Sequence, residues 1–125
     1  MQVGVGLPAT IPGAQASVIL EWAKRADGGP FSSLGIIDRL VYSNYEPLTT
    51  LAAAAAVTRR IRLMPAILLA TIRNAGVLAK QVASLDALSG GRVTLGLGVG
   101  RREDDFLAAP APMKGRGRHI EAQIA

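Results

Sequence analysis

Hydrophobic and polar positions alternate with two different periods along the chain, and the clearest alternation lies in the glycine-rich stretch 93–100. Here a threonine and three glycines alternate with four apolar residues, Val93, Leu95, Leu97 and Val99, which predicts a strand. One face of this strand is branched and apolar. The other face is almost bare of side chains, which lets a ligand or another backbone approach closely. The pattern therefore predicts a binding surface at the end of this strand.

The rest of the chain predicts three more strand–helix units in the same order. The predicted strands are Val3–Leu7, Ser33–Ile37 and Ile61–Ala70, and the predicted helices are Ala14–Ala26, Leu48–Thr58 and a helix capped by Asn74 that runs to Leu88. A further helix is predicted to begin near His119. Helices of this length can connect parallel strands, so the chain is predicted to be an α/β protein.

Proline and glycine mark two special positions in this pattern. Pro65 lies inside the third predicted strand and cannot donate a ladder hydrogen bond, so we expect a bulge near Pro65-Ala66-Ile67. Gly90 and Gly91 follow the third helix and are predicted to end it in a left-handed cap.

Composition narrows the class of protein. The 125 residues are treated as one domain, 1–125; half of them are hydrophobic, yet no apolar run reaches the roughly 18 residues of a membrane span. The N-terminus lacks the features of a signal peptide and the chain has no cysteine, so we expect a cytoplasmic protein without a membrane partner.

The formal net charge of +5 could attract phosphates or an anionic cofactor. Nucleic acid is not an expected partner, because aromatic residues make up only 4% of the chain and cannot provide base-stacking platforms. The sequence shows no metal-ligand cluster and no arrangement of serine, histidine and aspartate for nucleophilic catalysis.

In parallel α/β proteins ligands bind at the carboxyl ends of the strands, so the residues after each apolar run are the candidates for chemistry. Asp38 is the only acid that directly follows a strand; it could orient a ring or substrate, pair with Arg39, or cap a loop. Arg73 and Arg101 could bind a phosphate or carboxylate, or lie at the surface. The acidic residues 103–105 could hold a divalent ion, but they are interpreted as a solvated turn.

A glycine pattern near the N-terminus leaves a second class of enzyme open. Gly4, Gly6 and Ala9 fit the dinucleotide-binding pattern G-x-G-x-x-A, although Pro8 occupies the place where the helix should begin. A Rossmann-type NAD(P)-binding protein is therefore the alternative enzyme class.

The segment Ala79–Gly100 resembles the bacterial luciferase-like monooxygenase superfamily, particularly its F420-dependent members, and the resemblance extends upstream to Asp38 and downstream to Arg118. It implies a TIM-type (β/α) barrel of which about the first half, four βα units, is present. It also implies an oxidoreductase or monooxygenase that holds a flavin or deazaflavin across the carboxyl ends of the strands and acts on a small-molecule substrate. F420 is the expected cofactor and FMN the alternative.

The resemblance further implies which residues contact the cofactor. A bulge with a non-prolyl cis peptide is expected to support the ring, and the bare glycine face is expected to leave room for it. The implied contacts are Asp38, Ala66, Ile67, Leu69, Val99 and Gly100. No catalytic residue is assigned, because Arg39 and Arg101 replace the histidine and glutamate of the sugar-phosphate dehydrogenase branch.

A complete barrel of this kind takes about 250 residues, twice the present length. An open half-barrel exposes strand edges and apolar surface. We expect the chain to be the N-terminal half of a longer enzyme, with the C-terminal half of the barrel missing. The alternatives are an inactive truncated product and a half-barrel that forms a homo-oligomer.

Overall fold

A computed structural model describes all 125 residues, and its elements follow the predicted strand–helix order. The strands are β1 (Gly4–Gly6), β2 (Ser33–Ile36), β3 (Arg62–Pro65), β4 (Leu68–Leu69) and β5 (Leu97–Gly98). The helices are α1 (Ala16–Gly28), α2 (Pro47–Val57), α3 (Ala75–Ser89), α4 (Glu103–Ala108) and α5 (Arg116–Ile124), with a 3₁₀ turn at Ala70–Ile72. None of the helices has both the length and the apolar character needed to cross a membrane.

The strands run parallel and are arranged in the order in which they occur along the chain. β1 pairs with β2, β2 with β3, and β4 with β5. β3 and β4 are the two halves of the third predicted strand, and a bridge between Leu63 and Val93 joins the two paired sets. Sequential parallel pairing is the winding of a (β/α) barrel, here with four strand positions and no closure.

This winding does not fit the Rossmann alternative. In that fold the fourth strand returns to the side of the first, where the strand order reverses, whereas here β5 lies beside β4. The helix after Gly4 and Gly6 begins only at Ala16, so these glycines do not open a helix N-terminus onto a pyrophosphate.

The core lies between the sheet and helices α1 to α3. Its fully buried members include Leu34 and Leu63 from the strands and Ala23, Leu51 and Ala54 from the helices. The alanine-rich sequence of α2 allows this helix to lie close to both the sheet and α3, because small side chains keep the backbones near each other. The opposite face of the first three strands is open, and it carries Gly4, Gly6, Ser33, Gly35 and Met64.

Local signals account for the start of α2 and for both ends of α3. The side chain of Asn74 accepts a hydrogen bond from the Val77 N–H at 3.0 Å, as predicted for an N-cap. Gly90 has φ 71° and ψ 41°, the left-handed conformation expected of a helix C-cap. Glu46, which was not predicted as a cap, accepts a hydrogen bond from the Thr49 N–H at 2.7 Å and begins α2.

The fourth strand is shorter than predicted. Only Leu97–Gly98 is regular strand within the stretch 93–100, and Val93 forms an isolated bridge. The reason lies in the partner strand, because the interruption between β3 and β4 breaks the ladder opposite Leu95 and Gly96.

Candidate functional site

A cleft of about 480 Å³ lies at the carboxyl ends of β4 and β5, within the size range of small-molecule sites. Four of the six predicted cofactor contacts line it, namely Ile67, Leu69, Val99 and Gly100. The remaining lining residues are charged and comprise Arg39, Arg101, Arg102 and Asp105. The cleft thus has an apolar part formed by the strand ends and a charged part formed by the loops beyond them.

The other two predicted contacts, Ala66 and Asp38, lie next to this cleft without lining it. Ala66 borders a hollow of about 310 Å³ on the open face of the sheet, together with Gly6 and Met64. The Asp38 side chain is 2% exposed and lies behind the strand ends. That any of the six residues binds a cofactor remains a prediction.

The peptide bond between Ala66 and Ile67 is cis, which confirms the geometry expected from the resemblance. The neighbouring strands hold this bulge on both sides. The Ala66 N–H donates to the Ile36 carbonyl at 2.7 Å, and the Leu68 N–H donates to the Gly96 carbonyl at 2.8 Å. The Ile67 side chain is 47% exposed at the cleft, so the bulge presents an apolar surface there.

The bare glycine face of the fourth strand lies directly against this bulge. A Cβ atom on Gly98 would overlap Cδ1 of Ile67, and one on Gly96 would lie 2.6 Å from the Pro65 carbonyl oxygen. The expectation that the glycines leave room for a ring is therefore corrected, because the third strand and the Ile67 side chain already occupy that room. The glycines let the bulge form, and the bulge in turn forms the cleft wall.

Asp38 connects the loop after β2 to Leu69, the second residue of β4. Its Oδ2 atom accepts hydrogen bonds from the Leu69 N–H and from the Arg73 guanidinium, both at 2.9 Å. Arg73 also donates to Glu46 at 3.1 Å. Of the roles open to Asp38 in sequence, the structure thus shows an ion pair, formed with Arg73 rather than with Arg39, and it leaves Arg73 engaged by two carboxylates.

Glu46, at the start of α2, is the second carboxylate that binds Arg73. Burial acts to raise the pKa of Glu46, but hydrogen bonds from Thr49 and the positive charge of Arg73 outweigh it. The pKa of Glu46 therefore lies below its ordinary value, and the carboxylate stays ionised near neutral pH.

Asp105 connects α4 to the loop after β2 through an ion pair and backbone hydrogen bonds. Its Oδ2 atom accepts a hydrogen bond from Arg39 Nε at 2.7 Å, and its Oδ1 atom accepts from the backbone N–H groups of Leu40 at 2.8 Å and Val41 at 3.3 Å. Arg39 also donates to the more exposed Asp104 at 3.1 Å. The interpretation of residues 103–105 as a solvated turn was wrong, since they form the first turn of α4 and Asp105 is buried.

Charge and burial oppose each other at Asp105. Burial acts to raise the pKa of the carboxyl group, but the hydrogen bonds from Arg39 and from the Leu40 N–H outweigh it and hold the pKa below its ordinary value. The Arg39 guanidinium lies 3.9 Å from the centroid of the Tyr42 ring, a cation–π distance. The sequence feature that could have indicated burial of this segment is the large apolar residue Phe106 directly after Asp105. Phe106 is buried in the structure.

The backbone between β5 and α4 is fixed from several sides. Thr71 Oγ1 donates to the Val99 carbonyl at 2.8 Å, and Arg116 Nε donates to the Gly100 carbonyl at 3.0 Å. Gly100 has φ 71°, and its Cα lies against the Phe106 ring, where a Cβ would meet the ring at 2.9 Å. Glycine is required at this turn by both its conformation and the lack of space.

The lining of the cleft contains no histidine, cysteine, serine or lysine, and its one carboxylate, Asp105, is paired. The described residues also contain no cluster of three metal-ligating side chains. The apolar strand ends offer a surface for a planar apolar ligand, and the arginines offer donors for an anion. Redox chemistry at this site would come from a bound cofactor.

Sequential parallel strands, helices on one face and a cleft at the carboxyl ends define the chain as part of a (β/α) barrel-type protein. The family model described as luciferase-like monooxygenase matches residues 1–121. The chain belongs to this family.

Three solved structures of the same architecture are similar to the chain. Monooxygenase RslO1 from Streptomyces bottropensis has a TM-score of 0.86 and 30% identity over 99% of the chain. The coenzyme F420-dependent tetrahydromethanopterin reductase from Methanopyrus kandleri has a TM-score of 0.71 and 31% identity over 89% of the chain. The oxygenating constituent of 3,6-diketocamphane monooxygenase from Pseudomonas putida, in complex with FMN, has a TM-score of 0.84 over 99% of the chain; at 24% identity it supports the fold alone.

The chain spans less than half the length of these proteins, 41% of the first, 30% of the second and 37% of the third. The chain covers 24% to 43% of the length of curated relatives that it matches.

Proposed function

We propose that the chain forms the cofactor-facing N-terminal part of a luciferase-like oxidoreductase that uses F420, with FMN as the alternative cofactor. The observation that carries this proposal is the convergence of Ile67, Leu69, Val99 and Gly100 on one cleft at the carboxyl ends of the strands. An apolar surface formed by the strand ends beside charged loop residues suits a tricyclic ring that carries polar substituents.

The residues present fit such a ring. The exposed Ile67 side chain and Val99 would contact its face, and the backbone of Gly100 would border it. Asp38 would act from behind, since its hydrogen bond to the Leu69 N–H holds the cleft wall in position. A bound F420 would supply hydride transfer, and a bound FMN would supply hydride transfer or oxygen activation.

F420 is preferred because the solved structure named as F420-dependent shares 31% of its aligned residues with the chain. The substrate is proposed to be a small molecule that lies on the ring and contacts the loops after β2 and β5.

The experiment is a titration of the protein, expressed from its whole reading frame, with F420 and with FMN, followed by fluorescence. We expect saturable binding, tighter for F420. Val99→Trp should weaken binding by about tenfold or more, which is about 1.4 kcal/mol, because the indole occupies the space of the ring.

Val77→Trp is the matched control, since Val77 is an exposed valine on α3 that does not line the cleft. It should leave the dissociation constant unchanged. Failure of both cofactors to bind, or equal binding by Val99→Trp and the unaltered protein, would contradict the proposal.

A further inference from the structure

The cleft has an arginine that the fold does not use. Of its three arginines, Arg39 is held by Asp105 and Asp104, and Arg102 lies 3.6 Å from Asp104. Arg101 forms neither an ion pair nor a side-chain hydrogen bond, although it lines the same cleft as Ile67, Leu69 and Val99. With one carboxylate among the lining residues, the cleft carries an excess of positive charge.

The backbone before Arg101 is held by hydrogen bonds from two other segments of the chain. The preceding residue, Gly100, is fixed in a left-handed turn by the Phe106 ring and by the hydrogen bond from Arg116. Thr71 holds the Val99 carbonyl from the other side. Because this backbone is already fixed, a ligand that binds Arg101 does not have to order the loop, and that cost is not subtracted from its affinity.

We propose that Arg101 is a specificity-determining residue that binds the carboxylate or phosphate of a ligand whose apolar body lies on Ile67, Leu69 and Val99. A planar guanidinium can donate two parallel hydrogen bonds to either anion. The inference rests on the proposed function for the identity of the cleft, and it adds the chemical class of the ligand. Two sources of the anion share this chemistry, the phosphate of the cofactor and an acidic group of the substrate.

The test compares ligands that differ only in the anion. Naphthoate and naphthalenemethanol share a ring and differ in the carboxylate, and FMN and riboflavin share a ring and differ in the phosphate. Their dissociation constants are measured by fluorescence for the unaltered protein and for Arg101→Ala, Arg101→Lys and Arg118→Ala. Arg118 is an exposed arginine on α5 and serves as the control for a general change in charge.

We expect the unaltered protein to prefer naphthoate over naphthalenemethanol by about tenfold, as a charge-assisted hydrogen-bonded pair should. Arg101→Ala should abolish this preference, Arg101→Lys should keep part of it, and Arg118→Ala should keep all of it. If Arg101→Ala also weakens FMN but not riboflavin, the anion is the cofactor phosphate. If Arg101→Ala changes the dissociation constant of neither FMN nor riboflavin, the anion is the acidic group of the substrate.

The inference is overturned if naphthoate is not preferred, if Arg101→Ala leaves the preference intact, or if Arg118→Ala removes it equally. Circular dichroism should show all three variants folded, because neither arginine side chain supports the fold. Naphthoate binding does not require a flavin, so loss of cofactor binding with an intact Arg101-dependent preference would reject the proposed function and leave this inference standing. Cofactor binding without an Arg101-dependent preference for naphthoate would overturn this inference and leave the proposed function standing.

Discussion

Asp38 and Asp105 are buried carboxylates at the carboxyl end of the sheet. Each is held by one arginine and by backbone N–H groups of another segment, one for Asp38 and two for Asp105. An ionised carboxylate removed from water is costly unless such partners replace the water. Each carboxylate therefore fixes a backbone segment at a defined position: Asp38 holds Leu69 in β4, and Asp105 holds the loop after β2.

The ion pair between Asp105 and Arg39 should contribute to the stability of the fold. Asp105→Asn should lower the free energy of unfolding by about 3 kcal/mol at neutral pH, because Arg39 loses its buried partner. Asp104→Asn is the matched control; Asp104 is 42% exposed, and its loss should cost less than about 1 kcal/mol. Urea unfolding followed by circular dichroism measures both, and equal losses would contradict the assignment of Asp105 as the main partner.

The same pair has a pH dependence with a defined sign. The pKa of Asp105 is lower in the folded state than its ordinary value of 3.8, so its stabilising contribution is complete above that value. The contribution is lost as the pH falls through the folded pKa. The stability difference between the unaltered protein and Asp105→Asn should therefore shrink in acid, and a difference that stays constant down to the acid transition would be inconsistent with the pairing.

Much of the detail at this scale could be predicted from sequence, and the exceptions share a physical cause. Asn74 and Gly90 act through their own backbone neighbourhood, and Pro65 marked the distorted part of the third strand because it lacks an N–H. The Arg39–Asp105 and Arg73–Asp38 pairs join residues 66 and 35 positions apart. No local pattern encodes such a partner, so the sequence left Asp38 with several possible roles and left Asp105 in a turn.

At the scale of elements, the third and fourth strands form one unit. Strand prediction placed both of them, and Pro65 marked the break in the third, but the fourth was given a continuous length, since its alternating pattern does not report that the ladder of the partner strand is broken. The structure shows the break as a bulge in one strand matched by two glycines in the other. The predicted bare face is thus real, and its function is to admit the neighbouring strand.

A pair of glycine substitutions tests this fit. Gly96→Ala should lower the free energy of unfolding by about 1–3 kcal/mol, because the new Cβ would lie 2.6 Å from the Pro65 carbonyl oxygen, a backbone atom that cannot rotate away. Gly6→Ala meets nothing within 4 Å and should be neutral or slightly stabilising. Urea unfolding provides the comparison, and two variants of equal stability would show that the strands are not packed this closely.

At the scale of the whole molecule, the sheet ends in two unpaired edges, β1 on one side and β5 on the other. An apolar groove of about 440 Å³ lies beside β5, between that strand and α3, and Leu78, Val82, Leu95 and Leu97 contribute to its lining. Exposed edges and apolar grooves favour association. We propose that in the isolated 125-residue polypeptide the partner is a second copy, since a two-fold arrangement would set each β5 beside the partner's β1.

Light scattering can check this proposal. The isolated polypeptide should have the mass of a dimer or a larger assembly. Leu95→Glu should shift it toward the monomer, because it charges a residue of the groove that is 41% exposed. Val18→Glu, on α1 and 51% exposed, is the control and should have no effect. A monomer at all concentrations, or an equal effect of the two variants, would argue against self-association through this face.

The contact between Ile67 and Gly98 has a consequence for how this sequence can change. Because the two residues compete for one volume, a methyl group gained at position 98 would need to be matched by atoms removed at position 67. Substitutions at the two sites should therefore be tolerated jointly and not independently, although they are 31 positions apart. Since Ile67 is also exposed to the cleft, an alteration made deep in the fourth strand would be transmitted to the surface that a ligand meets.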